Sequence, residues 1–338
     1  MTGWAYRARA PLRIGLAGGG TDVDPYASEK GGLVLNATID KYAYCTVAPR
    51  DGNSMSVVSL DYGNYVAPLD GGPLPYDGNM DLIKAVTNHF NITEGFDMFI
   101  HSDAPPGSGL GGSSTVIVSI ITAIAAWKGI DLGKYEKSHL AYVLEREKIG
   151  LKGGKQDQYA AAFGGFNLME FTADGTRVRP LGLDPDVVNE LQYCSLLCYT
   201  GDTRESAGII ESQVKGFKEG SNEEALDETK RIAGEMAAAL EGGSIREVGE
   251  ILDEGWAQKK RFSPKVTNRA IDRIYDAAKA AGAIGGKVSG AGGGGFMYFI
   301  CEYDKRHMVG KELIKRGART TNFMFEANGA VSWRARDD

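Results

Sequence analysis

Pro105-Pro106-Gly107-Ser108-Gly109-Leu110-Gly111-Gly112-Ser113-Ser114 puts two prolines, four glycines and three serines into ten residues. Before it, Phe96 to Ser102 alternates apolar and polar residues and reads as a strand; after it, an apolar stretch to about Trp127 reads as a helix. Glycine lets a backbone adopt positive φ and approach an anion closely, and the first turn of a helix offers unpaired N–H groups and a favourable dipole. The stretch is therefore expected to cradle phosphate, with Pro106, Gly107, Ser108, Gly109, Leu110, Gly111, Gly112, Ser113 and Ser114 in contact with it. The plainer alternative is a tight strand-to-helix connection with no ligand.

Two familiar phosphate loops do not match. Gly107-x-Gly109-x-x-Gly112 has dinucleotide-fingerprint spacing, but Pro105 and Pro106 separate it from its strand and Asp131 follows a helical stretch where a second strand is required. Gly285-Gly286-Lys287 is followed by Val288, with no hydroxyl for a magnesium ion and no glycine at the upstream P-loop spacing.

Working outward, strands are expected at Leu12 to Ala17, Leu33 to Val47, Ser54 to Leu60, Phe166 to Phe171, Leu191 to Thr200, Gly286 to Ser289, Gly295 to Cys301 and Thr320 to Glu326. Helices are expected at Asp81 to Phe90, Lys134 to Ile149, Lys155 to Phe163, Arg204 to Lys218, Asn222 to Leu240, Ile245 to Arg261, Thr267 to Ala281 and Asp304 to Arg316. Strands and helices mixed without strict alternation indicate an α+β fold. A boundary near residue 190 divides the chain into domains of residues 1–190 and 191–338.

With 43% hydrophobic and 24% charged residues among 338, the chain is long enough for two folded domains. A net charge of -6 gives no basic footprint, so nucleic acid and anionic membranes are not expected partners. No apolar run reaches the roughly 18 residues of a membrane span and Met1 to Ala10 lacks a signal-peptide core, so a cytoplasmic protein, monomer or homodimer, is expected. Cys45, Cys194, Cys198 and Cys301 are scattered; Cys194 and Cys198, evenly spaced in an expected strand, read as buried thiols without chemistry.

Two further glycine-rich motifs flank the loop: Ala10-Pro11-Leu12-Arg13-Ile14-Gly15-Leu16-Ala17-Gly18-Gly19-Gly20-Thr21-Asp22 and Lys287-Val288-Ser289-Gly290-Ala291-Gly292-Gly293-Gly294-Gly295. In this order the three resemble the motifs of the galactokinase, homoserine kinase, mevalonate kinase and phosphomevalonate kinase (GHMP) superfamily, from about Ala10 to Phe296. The resemblance implies an elongation-factor-like N-terminal domain, a ferredoxin-like C-terminal domain, and ATP and substrate in the cleft between them. It also implies that Ser113 meets magnesium and the β-phosphate, that Glu145 is a magnesium ligand and that Asp157, twelve residues on, is the catalytic carboxylate. A carboxylate and a hydroxyl beside nucleotide phosphates suit magnesium. Asp157 is then placed to accept the proton of the attacking hydroxyl or to orient it, and Arg13 to pair with it and stabilise charge on the transferring phosphoryl group. Arginine in mid-strand needs a partner. Glu147 and Lys148 read as solvated helix charges, while Gln156 and Gln158 stay open between site and scaffold.

Galactokinases resemble the first motif but carry glutamate and histidine at the positions of Gly19 and Gly20, so the two glycines are expected to open space for a larger or phosphorylated substituent. Gly18, Gly19, Gly20, Thr21 and Asp22, with Gly290 and Gly292 of the third motif, are the expected sugar contacts. Together with Asp157 to Gly165, the first motif most resembles D-glycero-D-manno-heptose 7-phosphate kinases, which implies phosphorylation of the anomeric O1 to a 1,7-bisphosphate. The 7-phosphate calls for cations: Arg204 first, then Lys152 and Lys155, each of which would otherwise be a surface charge. An L-fucose 1-kinase, or a non-catalytic sugar-binding regulator, are the alternatives.

Overall fold

A computed structural model describes residues 3–69, 72–201 and 206–336. The chain opens with β1 (Trp4–Ala17), α1 (Tyr26–Lys30), β2 (Gly32–Pro49), β3 (Ser54–Ser59), β4 (Gly63–Pro68), α2 (Asp81–His89) and β5 (Phe96–Ser102). There follow α3 (Gly112–Lys128), α4 (Lys134–Tyr142), a π-helical turn at Val143–Lys148, α5 (Gln156–Phe163), β6 (Phe166–Thr172), β7 (Gly175–Pro180), α6 (Pro185–Cys194) and β8 (Ser195–Tyr199). The remainder is α7 (Ala207–Lys218), α8 (Glu223–Glu241), α9 (Ile245–Lys260), α10 (Arg269–Ala281), β9 (Ala283–Val288), β10 (Phe296–Cys301), α11 (Arg306–Lys315), β11 (Arg319–Thr321) and β12 (Val331–Arg336).

Among the described residues the strands form two sheets. The larger runs β12-β1-β2-β5-β3-β4, with β6 also on β2 and β7 on β6; the smaller runs β11-β8-β10-β9. Strand β2 organises the first sheet: β1 pairs along one edge, and β6 and then β5 share the other. Helix α3, buried on every side from Ser114 to Ala125, packs on this sheet, as expected of a helix without a polar face. Leu12, Ile14 and Leu16 of β1 share a second apolar cluster with Ile232 and Met236 of α8, Leu252 of α9 and Tyr298 of β10. One continuous core therefore joins the two sheets. The α+β reading holds.

The structure corrects the expectation around Cys194. Asp184 caps α6 by accepting from Asp186 N at 2.8 Å and Pro185 takes the first helical position, so residues 185–194 are helical and β8 starts only at Ser195. Cys194 and Cys198 share no strand face. All four cysteines are nevertheless free and buried, and burial pushes the thiols of Cys194, Cys198 and Cys301 up to about 12. Strand β12 was not expected; it returns the last described residues to the free edge of β1, from Arg336 opposite Trp4 to Val331 opposite Arg9. No helix among the described residues is long and apolar enough to cross a membrane.

Candidate active site

Arg13 ties the three glycine motifs together. A register shift between Pro11 and Arg13 interrupts the β1–β2 ladder, the kind of irregularity that re-aims a side chain, and Arg13 N–H donates out of the sheet to Leu110 O at 3.1 Å. The buried guanidinium donates from Nε to Asp157 Oδ1 at 2.7 Å, with Nη2 also 2.7 Å from that oxygen, and from Nη1 to Gly109 O at 2.6 Å and Ser289 Oγ at 3.5 Å. Both short contacts converge on Oδ1, so Asp157 Oδ2 has no hydrogen-bond partner among the described residues. Oδ2 lies 3.4 Å from where a β-carbon on Gly111 would stand; Gly111, with φ +80°, is the residue before α3.

The loop and the third motif touch backbone to backbone. A β-carbon on Gly109 would lie 2.4 Å from Ser289 O, and Phe296 N–H donates to Ser108 O at 2.9 Å. Gly107, Ser108, Gly109, Gly111, Gly112, Ser113 and Ser114 line a cleft of about 370 Å³ with Arg13, Asp22, Glu145, Asp157 and Gly290. Pro106 and Leu110 do not: Pro106 is exposed outside it, and the Leu110 side chain is fully buried in the apolar cluster, leaving its carbonyl to hold Arg13.

Glu145 is fully buried at the back of this cleft. It sits on the π-helical turn, where a regular amphipathic helix to Ile149 was expected; such wide turns recur at functional sites. Ser113 Oγ donates to its Oε1 at 2.7 Å, and Ser114 Oγ and Gln158 Nε2 donate to its Oε2 at 2.7 Å each. Gln158 is thus part of the site, whereas Glu147 and Lys148 are exposed as expected. Ser113 Oγ keeps lone pairs free, so it and Glu145 Oε1 form a pair of hard oxygen donors suited to magnesium. Among the described residues no group of three His, Cys, Asp or Glu side chains gathers to hold a metal, so phosphate oxygens or water must complete any such shell.

Across the cleft, Asp22 is buried and already well held: it accepts from Gly20 N at 3.0 Å, from Gln156 N at 3.1 Å and from Gln156 Nε2 at 3.2 Å. Gln156 therefore positions Asp22. The first motif does not open space as expected at Gly20: a β-carbon there would lie 2.7 Å from the Phe262 ring, and Gln213 Nε2 donates to Gly20 O at 2.8 Å. Gly19 does leave room, its nearest neighbour being Gln156 Nε2 at 3.7 Å. Gly18 and Thr21 line no part of the cleft; Gly18 packs against the backbone of Leu33, and Thr21 Oγ1 staples the turn to β2 by donating to Gly18 O and accepting from Leu33 N. Gly292 likewise packs against Val266, leaving Gly290 as the cleft-lining glycine of that pair. Arg204 lies outside the described residues.

Two buried lysines complete the lining. Lys259, near the end of α9, donates to Gly290 O, and Lys287 of β9 points toward Leu16 O at 3.5 Å. Burial first, and then the Arg13 charge, holds the Lys259 ammonium down at about 8 despite the pull of Asp22 and Asp157; burial and then Lys259 push Lys287 well below the ordinary lysine range. Lys259 sits three residues after Trp256 and seven after Leu252, both buried, and that apolar-face spacing was the signal available in the sequence. Lys287 lay within the third motif without an assigned role.

Comparison with known proteins identifies the family. Residues 80–165 match the GHMP kinases N terminal domain and residues 236–317 the GHMP kinases C terminal domain. The chain is 40% identical over 334 residues to D-glycero-alpha-D-manno-heptose 7-phosphate kinase of Campylobacter jejuni, covering 97% of this chain and 98% of that one. It is 38% identical to a D-glycero-D-manno-heptose 1-phosphate kinase of Bacteroides thetaiotaomicron, whose crystal structure it matches with a TM-score of 0.81 over 97% of this chain and 98% of that one. L-fucokinase/L-fucose-1-P guanylyltransferase of Bacteroides fragilis is 29% identical over 87% of this chain, which spans 34% of that protein. Both halves of the chain thus carry the same family's signature, and the protein belongs to the GHMP kinases as a sugar kinase.

Proposed function

We propose that this kinase transfers the γ-phosphoryl group of ATP to the anomeric O1 of D-glycero-D-manno-heptose 7-phosphate, giving the 1,7-bisphosphate and ADP. The observation that carries the chemistry is the Arg13–Asp157 pair, in which both short contacts fall on Oδ1 and Oδ2 stays available beside the loop. In this reading Oδ2 accepts the hydrogen bond of the O1 hydroxyl and takes its proton as the new O–P bond forms and the bond to the β–γ bridging oxygen breaks. Backbone N–H groups from Gly107 to Ser113 hold the phosphates, while Arg13 and Lys259 offset charge on the transferring group. Magnesium, entering with the nucleotide and held by Ser113 and Glu145, would neutralise phosphate charge.

For the acceptor, support comes from the relative in Campylobacter jejuni, named for the 7-phosphate, and from Asp22, which lines the cleft and has one acceptor site left for a sugar hydroxyl beyond its three protein donors. The Bacteroides thetaiotaomicron relative is named for the 1-phosphate, so the position of transfer is the point to test. ADP release is measured with heptose 7-phosphate, unphosphorylated heptose and L-fucose, and the product phosphate is located by phosphorus NMR coupling. Turnover of the 7-phosphate with an anomeric product phosphate is expected. Turnover of fucose without turnover of the heptose phosphate, or a product phosphorylated elsewhere, refutes the assignment.

A further inference from the structure

Beyond Asp22 the catalytic cleft continues into a second chamber of about 620 Å³. Asp22, Val23, Arg146, Lys152, Gly153 and Ile210 line both spaces, so the two meet at the carboxylate that faces the sugar. A sugar with O1 at Asp157 and a hydroxyl on Asp22 sends its remaining arm past Asp22. The path over Gly20 is closed by Phe262 and Gln213. Val23, Lys152 and Gly153 line both spaces, so among the described residues an arm directed past Asp22 meets the second chamber there.

The charged lining of that chamber separates into spent and unspent groups. Lys155 pairs with Asp24 at 2.9 Å and Lys215 with Glu219 at 3.8 Å. Arg146 is occupied as a scaffold: it donates to the carbonyls of Leu151, Lys152 and Gly154 at 3.4 Å each and to Ser114 Oγ at 3.2 Å, which fixes the loop carrying Lys152. Lys152 and Lys218 make no ion pair among the described residues, and Glu211 of α7 is the remaining acidic group on the wall. Lys152 stands at the doorway, and Lys218 faces the chamber from α7. A doubly charged phosphate ester on a flexible arm is the ligand class that suits two ammonium groups lining one chamber and making no ion pair among the described residues.

We propose that this second chamber is the subsite for the substrate's terminal phosphate, with Lys152 and Lys218 as its recognition groups. The proposal rests on the sugar-phosphate reading above. It makes the enzyme's choice of a phosphorylated sugar a property of the loop after the π-helical turn and of α7, not of the first glycine motif. Both lysines are exposed, so their replacement leaves the core intact.

The test is steady-state kinetics of the K152A/K218A double variant with heptose 7-phosphate and with unphosphorylated heptose. The KM for the 7-phosphate is expected to rise about tenfold or more, with kcat, the KM for ATP and the KM for the unphosphorylated sugar unchanged. K152R is expected to keep most of the affinity, and inorganic phosphate to compete with the sugar phosphate more weakly in the double variant than in the wild type. An unchanged KM, or equal losses for both sugars, overturns the subsite while leaving the substrate assignment intact. Absence of wild-type turnover of the 7-phosphate overturns the substrate assignment and the subsite with it.

Discussion

At the scale of single residues, the site is a contest between burial and charge. Asp157 is the group whose loss separates binding from chemistry: D157N keeps the shape of the Arg13 contact but removes the proton acceptor, so kcat is expected to fall about 10²–10⁴-fold while an ATP analogue still binds. Retention of more than a tenth of wild-type kcat would place the base elsewhere. Lys259 tests the opposite balance. Its ammonium is held down at about 8, against about 10.4 in an unfolded chain, so between those values the unfolded state binds more protons and stability rises with pH; below about 8 the folded state bears the full burden of a buried cation. K259M is therefore expected to raise the urea midpoint at neutral pH, with a gain that shrinks toward about pH 10, and to lower kcat. Equal midpoints for variant and wild type at both pH values would contradict it. Arg13 and Asp157 were legible because their surroundings are motif-like, whereas Lys259 was not, since a lysine beside Lys260 and Arg261 looks like the solvated end of a helix until the third dimension shows Gly290 against it.

At the scale of elements, function depends on how the short connections hold the helices. The segment between the π-helical turn and α5 passes so close to the first motif that a β-carbon on Gly154 would stand 1.9 Å from Asp22 Oδ2. G154A is expected to displace the Asp22 carboxylate and raise the sugar KM about tenfold or more, leaving the KM for ATP unchanged, as initial-rate measurements with each substrate varied in turn would show. A parallel rise in both constants would mean that the loop, and not Asp22 alone, has moved. While α3, buried on every side, announced itself by a nearly continuous apolar run, periodicity identified α8, α9 and α10 to within a few residues because each buries an apolar face. It missed α6, whose start is written in Asp184-Pro185, and the π-helical turn, because the residues that widen a helix have the same composition as those that continue it.

At the scale of the whole molecule, the chain's last described segment completes what its first segment begins. Glu326 N donates to Thr38 O at 2.9 Å, Gly165 N to Glu326 O at 3.0 Å and Ala330 N to Ala161 O at 2.8 Å, so residues 326–330 run across the end of α5 before β12 joins β1. A β-carbon on Gly329 would lie 2.1 Å from Ala162 O, and G329A is accordingly expected to lower the thermal midpoint, by roughly 1–3 kcal/mol of stability. An unchanged midpoint would show that this crossing bears no strain. The strand itself is written in the alternation of Val331, Trp333 and Ala335 with Ser332, Arg334 and Arg336, but nothing in that pattern names β1 as its partner or places residues 326–330 over α5. The helix held down by this crossing is the one that carries Asp157. During synthesis, then, all three glycine motifs leave the ribosome before residues 326–336, and the helix that carries Asp157 gains its clasp only when those residues emerge.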